Sequence, residues 1–89
     1  MSKRRLIFTA HAKARCHDYG LNFRQIEKQF EGARIVNPPA RVLRTNRMFH
    51  HRVASSIQYR WAYGVLYTVE VTGSSYRVLT LTPKNLHDL

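Results

Sequence analysis

A histidine and an arginine close to the N-terminus have the types and the spacing that proton transfer on a phosphate ester would use. His11 and Arg15 are four residues apart in the stretch FTAHAKARCHDYGLN, residues 8–22, so a helix would place them on the same side. An imidazole can move protons near neutral pH, and a guanidinium can stabilise negative charge on a phosphate. The competing interpretation is a solvent-exposed histidine near a helix start that does no chemistry.

The cysteine and the other histidines give little support to different chemistries. Cys16 is the only cysteine, which rules out an intramolecular disulfide, and in an alanine-rich helix it is expected to be a small buried group rather than a nucleophile. His50 and His51 are adjacent, so a strand would point them to opposite faces, and no Asp, Glu or Cys lies near them in the sequence. The sequence therefore predicts no metal site and no cofactor.

An arginine-rich segment is the strongest indication of a binding partner. Residues 32–69 contain no acidic residue and six arginines. Guanidinium groups bind phosphate through two parallel hydrogen bonds and stack on bases. The residues expected to bind nucleic acid are Arg41, Arg44, Arg47, Arg52 and Arg60. The alternative is a scattered basic surface without a site.

Length and charge narrow the class of protein further. The 89 residues, 44% of them hydrophobic, suffice for one domain over residues 1–89 with a single modest core. The formal net charge of +10, from 15 basic and 5 acidic residues, favours a polyanionic partner, with nucleic acid ahead of an anionic membrane surface or an acidic protein. Because the N-terminal apolar run covers only residues 6–8, we expect no export signal, no membrane span and a cytoplasmic protein.

Cap and turn residues divide the chain into a helical half and a β half. Thr9 is suited to cap a helix over residues 10–19. Asn22, with Gln25 at the capping-box position, is suited to cap a second helix. After the sequence NPP at 37–39, which no helix interior tolerates, the pattern changes to alternation. This change, which persists to residue 82, predicts strands in the second half of the chain.

Alternating residues predict an antiparallel sheet in the second half. The odd positions from 57 to 71 are apolar or aromatic, and turns are expected near 62–64 and 73–74. With a first strand near residues 6–8, this predicts an α+β fold in which the N-terminal strand and two helices pack on an antiparallel sheet of three to four strands. We expect the odd face of the sheet to look toward the helices.

The opposite face of this sheet is expected to form a polar, basic groove. The final strand would supply the hydroxyl groups of its floor, from Tyr76, Thr80 and Thr82. The same groove adds three further candidates, His50, Tyr59 and Arg60. RNA can be cleaved by its own 2′-hydroxyl if a protein aligns it, moves protons and stabilises the charged intermediate. A metal-independent endoribonuclease is therefore the enzyme that these residues could form.

The two ends of the chain resemble a known group of proteins. The opening FTAHAKARCHDYGLNFRQIE is similar to the start of small bacterial domains allied to the RelE/ParE and BrnT-like toxins, and the closing YRVLTLTPKN resembles their last strand. The matching positions at the start are Thr9, His11, Ala12, Arg15, Gly20 and Leu21. Residues 33–62 match only in general character.

This resemblance implies a RelE-like fold and a toxin-type, metal-independent endoribonuclease, acting on free RNA or at the ribosome and neutralised by an acidic antitoxin-like protein. It carries over His11 and Arg15, and less directly Thr80, as catalytic residues, next to His50 and Tyr59 from the groove. Because relatives on one fold differ in activity, two alternatives stay open. One is a non-enzymatic RNA- or DNA-binding module, and the other is a protein-binding inhibitor like the relatives that target DNA gyrase.

Overall fold

Three helices and a five-stranded sheet form the described part of the chain. The structure is a computed structural model that describes residues 4–45, 57–85 and 87. In chain order the elements are β1 (Arg5–Phe8), α1 (Ala10–Asp18), α2 (Phe23–Phe30), β2 (Arg34–Ile35), α3 (Ala40–Thr45), β3 (Ile57–Ala62), β4 (Val65–Val71) and β5 (Ser75–Pro83). The predicted α+β class is confirmed, but the sheet has five strands rather than three to four. None of the helices within these ranges is long and apolar enough to cross a membrane.

The N-terminal strand lies at one edge of a mixed sheet. The strand order is β1-β5-β4-β3-β2. β1 runs parallel to β5, with Arg5 opposite Ser75 and Phe8 opposite Val78, and the other neighbouring strands are antiparallel. The expectation of a purely antiparallel sheet is wrong, because most of the chain separates β1 from β5 and so leaves a connection long enough for parallel pairing.

Side-chain caps begin the first two helices as the sequence predicts. The Oγ1 of Thr9 accepts a hydrogen bond from the backbone N–H of Ala12 (3.1 Å), and the Oδ1 of Asn22 accepts one from that of Gln25 (3.1 Å). Gly20 follows α1 with a φ of 68°, a conformation that glycine adopts without steric cost. The resulting turn joins α1 to α2, and both helices pack on the same face of the sheet.

A third, short helix packs on the opposite face and was not expected from the sequence. α3 follows Pro39, whose carbonyl accepts hydrogen bonds from the N–H groups of Val42 (3.0 Å) and Leu43 (3.2 Å). Proline is well suited to the start of a helix, where its missing N–H is not needed. The six residues of α3 are too few to show a helical period in the sequence.

Each face of the sheet buries its own core. The larger core lies under α1 and α2, and its buried members are Phe8, Ala12, Cys16, Ile26, Phe30, Ala62, Val65, Tyr67, Val69, Val78 and Leu81. The smaller core lies under α3 and contains Val42, Tyr59 and Leu66. Cys16 is a buried packing residue, as predicted, and burial raises the pKa of its thiol, which opposes reactivity.

The turn between β3 and β4 puts the odd positions of the two strands on opposite faces. Ala62 pairs with Val65 across a two-residue loop at 63–64, whose φ angles of 48° and 80° are typical of a tight hairpin. Even residues of β3 therefore share a face with odd residues of β4. As a result Tyr59 lies in the smaller core and Tyr67 in the larger one. The expectation that all odd-numbered residues from 57 to 71 share one face of the sheet is therefore wrong.

A bulge in β5 changes the face on which its residues lie. Thr80 pairs with Thr68, but Val78 pairs with the next residue of β4, so Leu79 has no β4 partner, as in a β-bulge. Tyr76 therefore packs against the larger core beside the helices, and the expectation that it faces away from them is wrong. Thr68 lies between two residues of the larger core, so it and Thr80 face the other side, as expected for Thr80.

Candidate nucleic-acid interface

His11 and Arg15 lie on α1, where the sequence predicts them; we call them the α1 pair. His11 is exposed in the first turn, and Arg15 lies one turn further along the same side. Nη2 of Arg15 is 3.0 Å from Oδ2 of Asp18, and both side chains are substantially exposed (41% and 52%), so this ion pair contributes little stability. The Nε of Arg15 is buried and has no hydrogen-bond partner among the described residues. The catalytic role of the α1 pair stays a prediction.

The sheet separates two other predicted catalytic residues from the α1 pair. Tyr59 is only 5% exposed and belongs to the smaller core under α3, and Thr80 lies on that same face. Because α1 packs on the other face, the structure does not bring these two side chains to the α1 pair. His50 lies outside the described residues.

The arginines predicted to bind nucleic acid lie on both faces. Arg41 and Arg44 are exposed on α3. Arg60 is on β3 but faces α2, because it alternates with residues of the smaller core. Arg47 and Arg52 lie outside the described residues.

Arg60 is one of two guanidinium groups that flank the ring of Tyr76. The Cζ of Arg60 lies 4.6 Å from the centre of that ring, and the Cζ of Arg4 lies 5.4 Å from it, both within reach of a cation–π contact. Nη1 of Arg4 also donates a hydrogen bond to the Tyr76 hydroxyl (3.5 Å). We call these three residues the Arg–Tyr–Arg cluster.

Neutral groups hold the two arginines of the cluster in place. The Nε of Arg4 donates to the backbone carbonyl of Thr72 (2.8 Å), and Nε and Nη2 of Arg60 both donate to Oε1 of Gln58 (3.3 and 3.2 Å). Arg60 also stacks on Phe30, the last residue of α2, at 5.7 Å. Within the described ranges neither arginine forms an ion pair with a carboxylate. The cluster therefore keeps two positive charges that a phosphate could neutralise.

The charged surroundings make the Tyr76 hydroxyl easier to deprotonate than that of an ordinary tyrosine. The hydrogen bond from Arg4 is the main cause that lowers the pKa of Tyr76 below its usual value. The positive charge of Arg60 lowers it further, while partial burial opposes both effects. A phenol with a lowered pKa is more often present as the phenolate, the form that can accept a proton.

Sequence reasoning put Arg60 and Tyr76 in one groove but on the wrong face of the sheet, and it missed Arg4, which is far from both in the chain. Arg4 belongs to a basic start that reads as solvated charge, and Tyr76 was assigned to the wrong face because the bulge at Leu79 has no clear signature in the sequence. The sequence did contain one signal for the face on which Arg60 lies. Arg60 alternates with Tyr59 and Trp61, so it must face the side opposite to these two aromatic residues.

A second basic site lies on the face of α3. An open pocket of about 440 Å³ is lined by Pro39, Arg41, Arg44 and Lys84; we call it the α3 pocket. Its lining joins two of the predicted nucleic-acid-binding arginines to a lysine that follows β5. The described lining contains three cationic side chains and no carboxylate.

Neither a metal site nor a relative identifies the function. Over residues 4–45, 57–85 and 87, no group of three or more His, Cys, Asp or Glu side chains could hold a metal ion. Comparisons of the chain with protein-family models, curated proteins and solved structures give no significant match. The features of the molecule that bear on function are the Arg–Tyr–Arg cluster, the α3 pocket and the charge of the whole chain.

Proposed function

We propose that this protein is a toxin-type endoribonuclease that cleaves RNA without a metal ion, with the Arg–Tyr–Arg cluster as its active centre. The observation that carries the proposal is the Tyr76 hydroxyl, which lies beside two guanidinium groups and has a lowered pKa. A proton acceptor and two phosphate-binding cations thus lie together at one surface. The net charge of +10 supports a polyanion such as RNA as the ligand.

The cluster supplies two of the functions that RNA cleavage by 2′-hydroxyl attack requires. The Tyr76 phenolate would take the proton of the 2′-hydroxyl, whose oxygen then attacks the adjacent phosphorus. Arg4 and Arg60 would stabilise the negative charge that develops on the phosphorane oxygens. The bond to the 5′-oxygen breaks, and this oxygen takes up a proton, for which His11 is the group predicted from the sequence. The products are a 2′,3′-cyclic phosphate and a free 5′-hydroxyl.

An acidic antitoxin-like protein is the second partner that we propose. The chain carries 15 basic and 5 acidic residues, and the carboxylates of such a partner would compete with RNA phosphates for the same arginines. The RNA would be encountered free or at the ribosome, so both substrates belong in any activity assay.

Tyr76→Phe tests the proposal because it removes the hydroxyl and keeps the ring on which both guanidinium groups stack. We expect cleavage of labelled RNA, with and without ribosomes, to fall by about 10²-fold or more, the usual size of a proton-transfer contribution. EDTA should leave the native rate unchanged. The matched control is Tyr63→Phe, in the β3–β4 turn and 73% exposed, which should cleave at the native rate. Native-rate cleavage by a well-folded Tyr76→Phe variant would reject the proposal.

A non-enzymatic RNA- or DNA-binding module is the second candidate. It is favoured by the position of Tyr59 and Thr80, which the sheet separates from the α1 pair, so that the predicted catalytic residues do not assemble into one centre. A module of this kind would bind RNA with a log–log salt slope of about 0.7 per phosphate contact on single strands. It would leave the RNA intact at every pH. Filter binding and a cleavage assay on the same RNA separate the two candidates.

A further inference from the structure

The α3 pocket has the size and the charge of a ligand site distinct from the Arg–Tyr–Arg cluster. Its volume of about 440 Å³ falls within the roughly 300–1,000 Å³ of ordinary small-molecule sites. This space exceeds what a single ion needs and can admit a phosphate together with part of its nucleoside. The pocket is open to solvent, so a nucleotide within a longer strand could enter it.

The orientation of α3 is fixed by its buried residue. Val42 packs in the smaller core with Tyr59 and Leu66, and this contact determines which side of the short helix meets the sheet. Arg41 and Arg44 are three residues apart, so they lie on neighbouring positions of the helix surface. Both line the pocket.

Backbone hydrogen bonds fix the third cation opposite α3. The N–H of Lys84 donates to the carbonyl of Gly64 (2.9 Å), and the carbonyl of Lys84 accepts from Nε1 of Trp61 (2.7 Å). The lysine is thus tied both to the β3–β4 turn and to β3. Its side chain starts from a fixed point at the edge of the pocket.

The charge of the pocket selects an anion. Its described lining brings together three cations, and the segment 32–69, which supplies two of them, contains no Asp or Glu at all. Arg44 and Lys84 bring two like charges to one pocket; such charges repel one another, and a bound anion would relieve that repulsion. Guanidinium groups favour phosphate because they can donate two parallel hydrogen bonds to it.

We propose that the α3 pocket binds a phosphate ester of an RNA strand at a point remote from the cleavage centre. Arg60 of the cluster and Trp61 beneath Lys84 are neighbours on β3 and face opposite sides of the sheet, so the two sites lie on different faces. The pocket then contributes affinity and leaves the chemistry to the cluster. This inference rests on RNA as the proposed ligand, but it does not require that the RNA be cut.

Trp61 provides a local readout for the test. It is the only tryptophan in the chain, and its indole N–H donates a hydrogen bond to the backbone carbonyl of Lys84, so its fluorescence should respond when the pocket is filled. The probe is a single-stranded RNA with 2′-O-methyl groups, which cannot undergo 2′-hydroxyl attack. Adenosine monophosphate and inorganic phosphate are titrated in parallel, because they carry the same chemistry without a strand.

The variants each remove one positive charge, either in the α3 pocket or on the opposite face of the sheet, and their RNA affinities are compared. Arg44→Gln and Lys84→Gln should each weaken RNA binding about tenfold, the size of one charge-assisted hydrogen bond, and lower the salt slope by about 0.7. Arg24→Gln, an exposed arginine of α2, removes the same charge far from the pocket and should change binding little. With cleavable RNA, the pocket variants should raise KM and leave kcat unchanged.

Three results would overturn the proposal. Equal losses for Arg24→Gln and the pocket variants would mean diffuse attraction without a site. Binding of adenosine monophosphate or phosphate with no response to RNA would make the pocket a site for small ligands. A response to polyglutamate that exceeds the response to RNA would assign it to an acidic protein. Failure of the proposed cleavage would appear separately, as intact RNA in the Tyr76 assay with pocket binding retained.

Discussion

The two faces of the sheet hold their arginines in different ways. On the face of α1 and α2, Arg60 stacks on Tyr76 (4.6 Å) and Phe30 (5.7 Å), at the margin of the larger core. On the face of α3, Arg41 and Arg44 extend from a six-residue helix into an open pocket. Stacking on aromatic rings fixes the guanidinium orientation and brings the charge to a hydroxyl, whereas the described lining of the open pocket consists of three cations and a proline. The first arrangement suits chemistry and the second suits binding.

The cores beneath the two faces differ in size, and the larger one lies on the face of the Arg–Tyr–Arg cluster. The larger core includes buried residues of α1, α2 and four strands of the sheet, β1, β3, β4 and β5. The smaller core contains Val42, Tyr59 and Leu66. Removing a large side chain costs the transfer free energy plus the cavity that remains. We therefore expect substitutions on the two faces to have different costs and different functional consequences.

The largest effect is expected from Phe30, which is 4% exposed and packs edge-on against Tyr67 with ring centres 5.2 Å apart. Phe30→Ala should lower the free energy of unfolding by about 3–5 kcal/mol, against about 1.5 kcal/mol for Val42→Ala, which removes two methyl groups. Urea titration measures both.

Phe30→Leu serves as the functional variant in case Phe30→Ala does not fold. It keeps an apolar side chain and removes the ring under Arg60, so cleavage should fall while RNA binding at the α3 pocket persists. Equal unfolding free energies for Phe30→Ala and Val42→Ala would contradict the difference between the two cores.

His11→Ala is expected to lower RNA cleavage by about 10²-fold, the size of a general acid–base contribution. Because His11 is exposed, circular dichroism should show an unchanged fold and RNA binding should stay near the native value. Arg15→Ala should also reduce the rate, through lost stabilisation of phosphate charge. Full cleavage by a folded His11→Ala variant would remove the α1 pair from the mechanism.

The helix caps should have smaller effects, confined to the face of α1 and α2. Thr9→Ala should cost about 1–2 kcal/mol, because its Oγ1 accepts from the N–H of Ala12 and also donates toward the carbonyls of Val78 and Leu79 (3.1 Å each). Thr9→Ser keeps the hydroxyl and is the control. Thermal or urea unfolding of the two variants gives the difference, and equal stabilities would show that the hydroxyl contributes nothing.

Asn22→Ala is expected to have the smallest effect, about 1 kcal/mol, since its side chain makes the single exposed capping bond to Gln25. The same urea titration applies. A loss larger than that of Thr9→Ala would mean that the start of α2, rather than the junction of β1 with α1, controls the stability of this face.

Local chemistry made the helical half of the chain predictable. Thr9 and Asn22 have side chains that bond to backbone groups three residues away, so the sequence alone is enough to place both caps. Burial of Cys16 followed from its position in an alanine-rich stripe. The α+β class followed from the change of period after NPP at 37–39.

Pairing register limited what could be predicted of the sheet and of the site. The two-residue turn between β3 and β4 exchanges the faces on which odd- and even-numbered residues lie. The unpaired Leu79 exchanges them again within β5. Both effects depend on which residue lies opposite which, and not on residue type. Tyr59 was therefore placed in the groove and Tyr76 away from the helices, while the structure has Tyr59 in a core and Tyr76 beside Arg60.

If Tyr76 is the base of an RNA-cleaving centre, its deprotonation must appear in the pH dependence of kcat/KM. A group that must lose its proton gives a rate that rises with pH and levels off above its pKa. Since Arg4 lowers the pKa of Tyr76, the native profile should level off below the usual range of tyrosine, and Arg4→Gln should shift the rise to higher pH. Tyr76→Phe should remove the rise. A native profile that keeps its position in Arg4→Gln and its shape in Tyr76→Phe would contradict the assignment.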